Sequence, residues 1–175
     1  MLVQLKFHGL RYRLGLATWL ELRQVSDAAL NAEIYSPSLV DAALDAEENL
    51  WEIGLAFEKA LSELELTLPE SQDDCCWKAL EYYINQIANK EVEPLTGLKG
   101  IMEVCWGCQL YEQSKDYVGD SYDIHELIGS YWGYEELFER PKEVTYNELA
   151  GEAATLALDA NVIEMCRAWL REHTL

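Results

Sequence analysis

The chain has 175 residues, of which 50% are hydrophobic, and a formal net charge of −19. Half-hydrophobic composition excludes a disordered chain, and no run approaches the roughly 20 apolar residues that span a bilayer. Direct binding to nucleic acid phosphates or anionic lipid is disfavoured, because like charges repel. The beginning of the sequence carries an early charge and no small-residue cleavage site, so we expect no signal peptide.

The charge is distributed unevenly. Residues 1–25 have a net charge of +3, whereas residues 26–175 have a net charge of −22. Such self-repulsion opposes compaction, and solubility alone does not require it. We therefore interpret the acidic part as a means of attracting a basic partner. For Arg11 and Arg13 the sequence also allows a simpler role, as ion-pair partners of acids elsewhere in the fold.

Residues 2–16 fit two structures. Apolar and polar residues alternate on either side of His8 and Gly9, which predicts a short β-hairpin. A helix over the same residues fits nearly as well. The segment from Leu16 to Arg23 then has helical spacing.

A clearer helical signal begins at Ser36, an N-cap residue followed by Pro37 at the first helical position. We expect a break near Glu48-Asn49, which would give two helices, and an end at Pro69. Apolar residues recur on one face through this stretch: Val40, Leu44, Trp51, Leu55, Leu61 and Leu64.

Two further helices are predicted in the middle of the chain. The first begins at Asp73-Asp74, where negative charge suits the helix dipole, and the second begins at Pro94. Gly97 and Gly100 weaken the second by roughly 1 kcal/mol each relative to Ala. The predicted apolar positions are Trp77, Leu80, Ile84 and Ile87 in the first helix, and Leu98, Ile101, Met102 and Cys105 in the second.

The last third of the chain contains a glycine-rich stretch and then a long helix. Glycines punctuate residues 116–139, which predicts turns and short helices. Thr145 and Glu148 have the spacing of a capping box, so we expect the C-terminal helix to begin there. The sequence as a whole predicts an all-α fold: a single domain over residues 1–175, a bundle of about five or six helices, with any strand confined to an N-terminal hairpin.

The five cysteines indicate a reduced, cytoplasmic protein, because their number is odd and two are adjacent. Cys105 and Cys108 form a Cys-x-x-Cys motif, which suits a redox pair or half a zinc site. A redox cysteine normally lies at a helix N-terminus, however, and these two come late in a helical pattern. We therefore expect buried, unreactive thiols, and a thiol-redox or metal enzyme remains an alternative.

One cluster combines carboxylates with a histidine: Asp120, Asp123, His125 and Glu126. A metal hydrolase uses such groups as ligands and base. Their spacing matches no ligand motif, so we predict no catalytic residue, no metal and no cofactor.

The stretch from Asp116 to Glu139 is the predicted interaction surface. It holds seven acids and six aromatic residues, with no Lys or Arg. Tyr and Trp are enriched among interface hot spots, and carboxylates around them steer a basic partner. The alternative is that the aromatic residues are core and the acids a solvated rim. The predicted partner-binding residues are Asp120, Tyr122, Asp123, Tyr131, Trp132, Tyr134, Glu135 and Glu136.

In composition the chain resembles the bacterial immunity proteins and antitoxins that block nucleases. That resemblance implies a non-enzymatic protein whose carboxylates occupy a basic groove meant for nucleic acid. We therefore predict a binding protein that neutralises or sequesters a basic protein partner such as a nuclease toxin. A helical adaptor or assembly protein acting as a homodimer is the alternative among binding proteins.

Overall fold

The computed structural model describes residues 1–44, 48–109, 122–141 and 143–173. Within these residues the chain forms eight α-helices and one two-stranded sheet. The all-α prediction is confirmed, whereas the count of five or six helices is too low. The chain divides into two compact units, Met1–Ala79 and Leu80–Leu175. A single domain over residues 1–175 stays a prediction.

The first unit contains four helices and the beginning of a fifth. They are α1 Leu2–Arg13, α2 Trp19–Asn31, α3 Pro37–Leu44, α4 Leu50–Glu63 and α5 Gln72–Ala88, of which α5 continues into the second unit. Their apolar faces meet in one core: Leu5, Ala17, Leu22, Val25, Ala29, Leu39, Ala42, Ile53, Phe57, Ala60 and Leu61. Burial of these side chains is the main stabilising contribution to the unit.

Of the two structures predicted for residues 2–16, the helix is confirmed and the β-hairpin is wrong, because residues 2–13 form helix α1. Phe7, Arg11 and Leu14 are buried at spacings of four and three, as one helical face requires. Leu5 and Gly9 are buried as well, on the other side of the same helix. Burial on two sides gives α1 an apolar pattern that imitates the alternation of a strand.

Several helix boundaries follow the predicted signals. Ser36 Oγ accepts a hydrogen bond from the Leu39 N–H at 3.2 Å, so Ser36 caps α3 as expected. The break near Glu48-Asn49 is confirmed, since Asn49 Oδ1 caps α4 by accepting from the Trp51 N–H. Helix α4 ends at Glu63, well before Pro69.

The N-terminal arginines pair with acids of the same unit. Arg11, which is buried, donates to the Leu16 carbonyl at 2.9 Å and to Glu21 at 3.0 Å. Arg13 donates to Glu58 at 3.0 Å. Two of the four bases in residues 1–25 thus form ion pairs within the first unit.

The second unit contains the rest of α5, then α6 Pro94–Gly107, α7 His125–Glu139, β1 Thr145–Tyr146, β2 Leu149–Ala150 and α8 Glu152–His173. The predicted start at Pro94 is confirmed. In α5 the predicted Leu80, Ile84 and Ile87 are buried, whereas Trp77 is only partly buried at the margin of that face. In the described residues, every helix is too short or too polar to span a bilayer.

Gly100 lets α5 and α6 approach closely. A Cβ at Gly100 would lie 2.2 Å from the ring of Tyr83, and one at Gly97 would lie 2.3 Å from Ile87. Both contacts are far closer than carbon atoms tolerate. These glycines lower the helix propensity of α6, and the close packing that they allow between α5 and α6 offsets that loss.

A hairpin lies where the capping box was expected. Thr145 pairs with Ala150, and Tyr146 pairs with Leu149, in an antiparallel ladder. The two loop residues, Asn147 and Glu148, have φ angles of 50° and 65°. Because a helix start requires negative φ after the N-cap, the predicted capping box is wrong and α8 begins at Glu152. The expectation that strands are confined to the N-terminus is wrong for the same reason.

The glycine-rich stretch is more regular than its sequence suggests. Residues 125–139 form one continuous helix, α7, which contains Gly129 and Gly133. The prediction of turns and short helices is therefore wrong for this part. Residues 110–121, which include Asp120, lie outside the described residues.

Candidate interaction surface on helix α7

Helix α7 has one buried and one exposed side. The buried residues are Leu127, Ile128, Ser130, Tyr134 and Leu137. Gly129, Trp132, Glu136 and Glu139 are all exposed. They are spaced by three and four residues, so they form a continuous stripe along the helix.

Three aromatic rings form a patch beside this stripe. Trp106, near the end of α6, lies with its ring centroid 6.3 Å from that of Tyr131, at an interplanar angle of 87°. Tyr131 in turn lies 5.2 Å from Trp132, at 75°. Such edge-to-face pairs contribute about 0.5–1.5 kcal/mol each beyond area burial. We call Trp106, Tyr131 and Trp132 the aromatic patch.

The aromatic patch is open to solvent. Trp106 is 53% exposed and Trp132 is 49% exposed, while Tyr131 is half-buried between them. Burying a large apolar side chain stabilises a protein by about 1.5–3 kcal/mol, so a tryptophan that stays this exposed forgoes much of that free energy. The patch is therefore apolar surface that a partner could bury.

Carboxylates adjoin the patch. Glu135, Glu136 and Glu139, the C-terminal glutamates of α7, follow Trp132 by three, four and seven residues, which places them on its side of the helix. The helix contains no Lys or Arg, and the first base is Arg140, at its C-cap. Negative charge at a helix C-terminus opposes the dipole, by roughly 0.3–1 kcal/mol for each group.

Two predicted contact residues are buried instead. Tyr134 is 1% exposed, and its hydroxyl donates a hydrogen bond to Asp159 of α8. Tyr122 is buried as well, and its carbonyl accepts a hydrogen bond from Trp169 Nε1 at 2.8 Å. These tyrosines therefore hold the second unit together, and a partner cannot reach them on this surface.

Three described members of the carboxylate–histidine cluster line a cleft of about 360 Å³ at the start of α7. Asp123, His125 and Glu126 meet Glu172 of α8 there, and no Lys or Arg lines the cleft within the described residues. Asp123 Oδ2 lies 3.4 Å from His173 Nε2. The cleft therefore extends the negative surface of α7 to its N-terminal end.

The structure brings four predicted residues together: Tyr131, Trp132, Glu135 and Glu136. Asp123 lies at the opposite end of α7, and Asp120 is outside the described residues. Sequence reasoning missed Trp106, although it follows Cys105 and so falls one position beyond the apolar face predicted for α6. A position next to the apolar face, and not on it, is the sequence signal that the Trp106 indole is exposed.

Cys105 and Cys108 are buried and form no disulfide. Burial, with a smaller effect of Cys108, raises the pKa of the Cys105 thiol to about 12. The thiolate is the form of cysteine that attacks electrophiles and binds metals, so a thiol that stays protonated does both poorly. Across the described residues, no group of three or more His, Cys, Asp or Glu is placed to hold a metal ion. The burial of Cys105 disfavours nucleophilic thiol chemistry at this motif.

Comparisons with known proteins found no matching family model, no matching curated protein and no matching solved structure. What the protein does is therefore inferred from its residues and their geometry.

Proposed function

We propose that this protein binds and neutralises a basic protein partner through the aromatic patch and the C-terminal glutamates of α7. One observation carries the proposal: two half-exposed tryptophans, each edge-to-face with Tyr131, adjoin three carboxylates on a helix that has no Lys or Arg. Exposed Trp and Tyr supply the anchors typical of interface hot spots. A nuclease toxin is the kind of partner that such a surface suits.

The charge of the second unit supports a basic partner. Residues 80–175 contain 18 acids and seven bases, a net charge of −11. A field of one sign accelerates the diffusional encounter with a partner of opposite sign, and it discriminates against acidic proteins. The acidic cleft at the start of α7 extends this field along the helix.

The glutamates also supply a thermodynamic reason for binding. In the free protein, Glu135, Glu136 and Glu139 repel one another and oppose the helix dipole. A partner's Lys or Arg placed among them relieves both effects. Binding would therefore recover stability that the isolated helix lacks.

Self-association is the second candidate. Leu44, Trp51 and Leu55 are exposed in the first unit, and the last two share a face of α4. A homodimer would bury this apolar surface. Each copy carries a net charge of −19, however, which opposes the meeting of two copies. Sedimentation at low and high salt tests this candidate, since a dimer held by apolar contacts would persist or strengthen in salt.

The test of the proposal is calorimetric titration with the basic proteins encoded beside this gene, at low and high salt. We expect a complex whose affinity falls steeply as salt is added. Replacing Glu135, Glu136 and Glu139 by Gln, or Trp106 and Trp132 by Leu, should abolish it. Where the partner is a nuclease, the same variants should fail to inhibit it.

Matched controls come from the first unit. Neutralising the exposed Glu48, Glu65 and Glu70 changes the net charge equally, and Trp51→Leu removes another exposed indole. Both controls should retain binding. Equal losses in the α7 variants and in these controls would show attraction to net charge alone, without a specific surface, and would contradict the proposal.

A further inference from the structure

We infer that the partner presents an arginine to Trp132, with its guanidinium stacked on the indole and paired with the glutamates that follow on α7. This inference rests on the proposed function, and it names the chemical group that the surface recognises. Three features support it: open space one turn before Trp132, a ring oriented by its neighbour, and carboxylates within reach of that ring.

The helix surface one turn before Trp132 is open among the described residues. A Cβ added at Gly129 would meet no atom of the described residues within 4 Å. One added at Gly133 would meet only Leu158, at an ordinary contact distance of 3.6 Å. Neither glycine is required by packing inside the described fold, in contrast to Gly97 and Gly100. Gly133 faces Leu158 of α8, whereas the missing side chain of the exposed Gly129 leaves room for a flat group to approach the indole.

The indole of Trp132 contacts its neighbour. It lies edge-to-face with Tyr131, which itself contacts Trp106, and these contacts favour the observed ring orientation although half of the side chain is exposed. A ring whose orientation is already favoured loses less conformational entropy when a ligand stacks on it.

The carboxylates select a cation that can also stack. Glu135 and Glu136 are helix neighbours of Trp132, with Cβ atoms about 5–6 Å apart in such pairs. A guanidinium is planar, weakly hydrated and able to pair with a carboxylate through two N–H groups while it lies on a ring. A lysine ammonium is a compact and strongly hydrated charge, so it gains less from the indole. Arginine is thus the side chain that satisfies both parts of the surface.

Two peptides of equal length and charge test the inference, one rich in arginine and one rich in lysine. Their dissociation constants are measured by calorimetry at one salt concentration, and the indole N–H signal of Trp132 is followed by NMR. We expect the arginine peptide to bind at least about threefold more tightly. It should also shift the Trp132 signal more strongly.

Two variants locate the preference. In Trp132→Leu the ratio of the two dissociation constants should fall clearly below its wild-type value, because the arginine peptide loses the stacking contribution while both peptides keep their charge interactions. In Trp51→Leu, which removes an exposed indole from α4, the ratio should stay at its wild-type value.

The outcomes separate this inference from the proposed function. Equal affinities in the wild-type protein, or a preference for the arginine peptide that is undiminished in Trp132→Leu, would overturn the arginine contact. The proposed function would still stand if neutralising Glu135, Glu136 and Glu139 weakened both peptides more than the first-unit neutralisation does. Absence of binding by either peptide at low salt would overturn both.

Discussion

The Tyr134 hydroxyl donates a hydrogen bond to the Asp159 carboxylate, and this contact joins α7 to α8. Burial raises the pKa of Tyr134 far above its ordinary value, and the hydrogen bond to Asp159 raises it further. The phenol therefore remains a donor well into alkaline solution. Tyr131, one turn earlier on the same helix, lies in the aromatic patch instead. Within α7, Tyr134 therefore stabilises the fold, and Tyr131 forms part of the surface patch.

Tyr134→Phe should lower the free energy of unfolding by about 1–3 kcal/mol, because Asp159 loses a hydrogen-bond donor in a partly buried position. Denaturant unfolding measures this loss. Partner affinity should not change, since Tyr134 lies away from the exposed stripe. Tyr131→Phe keeps its ring contacts and serves as the control for stability. A loss of affinity in Tyr134→Phe without loss of stability would place Tyr134 in the interface.

Gly129→Ala and Gly100→Ala should change stability in opposite directions. At Gly129 the new methyl meets none of the described residues, so the gain in helix propensity should stabilise the protein by about 1 kcal/mol. At Gly100 the methyl would collide with Tyr83, and overpacking should cost about 1–3 kcal/mol. The shift in denaturant midpoint gives both values. Destabilisation by Gly129→Ala would indicate packing against this glycine.

Glu21→Gln should weaken the dependence of stability on acid pH. Burial raises the pKa of Glu21, but hydrogen bonds from Thr18 and the charge of Arg11 outweigh it, and the net shift is downward from 4.5. A carboxylate with a lowered pKa stabilises the fold above its unfolded pKa. That stabilisation is lost as pH falls through the folded pKa.

The unfolding free energy of the wild-type protein should therefore fall between neutral pH and about pH 3 more steeply than that of Glu21→Gln. Urea unfolding across this range measures both slopes. The exposed Glu70→Gln is the matched control and should follow the wild type. Identical slopes in all three proteins would contradict the role assigned to Glu21.

Iodoacetamide should alkylate the native protein at neutral pH at least about a hundredfold more slowly than the unfolded protein. The physical reason is burial, which raises the pKa of both Cys105 and Cys166 to about 12. Mass spectrometry of the modified peptides measures each site. Fast alkylation of Cys105 in the native state would revive the redox hypothesis for the Cys105–Cys108 motif.

Local signals predicted the helix starts at Pro37 and Pro94, because a cap and a proline act on a few adjacent residues. The same kind of signal failed at Thr145. There the capping-box spacing is present, but Asn147 and Glu148 adopt positive φ and form a hairpin loop. Which of two locally allowed structures forms depends on what packs against the segment, and that information is not local.

In helix α1, the pattern of apolar residues is also insufficient to predict the secondary structure. A period of 3.6 is clear only when a helix buries one side. Leu5 lies on one side of α1 and Phe7 on the other, and both are buried. Two-sided burial is a property of the neighbouring helices, so the alternation within residues 2–13 alone could not distinguish helix from strand.

By itself, the sequence determined the acidic charge, the all-α composition and the coincidence of carboxylates with aromatic residues before Glu139. The charge and the coincidence of acids with aromatic residues are read directly from the chain, and the helical class follows from repeated 3.6-residue spacing along most of it. Only the tertiary structure decided which rings are accessible: Tyr134 is buried against Asp159, whereas Trp132 meets Trp106 across Tyr131. The physical reason is that exposure depends on which side of a helix its neighbours cover.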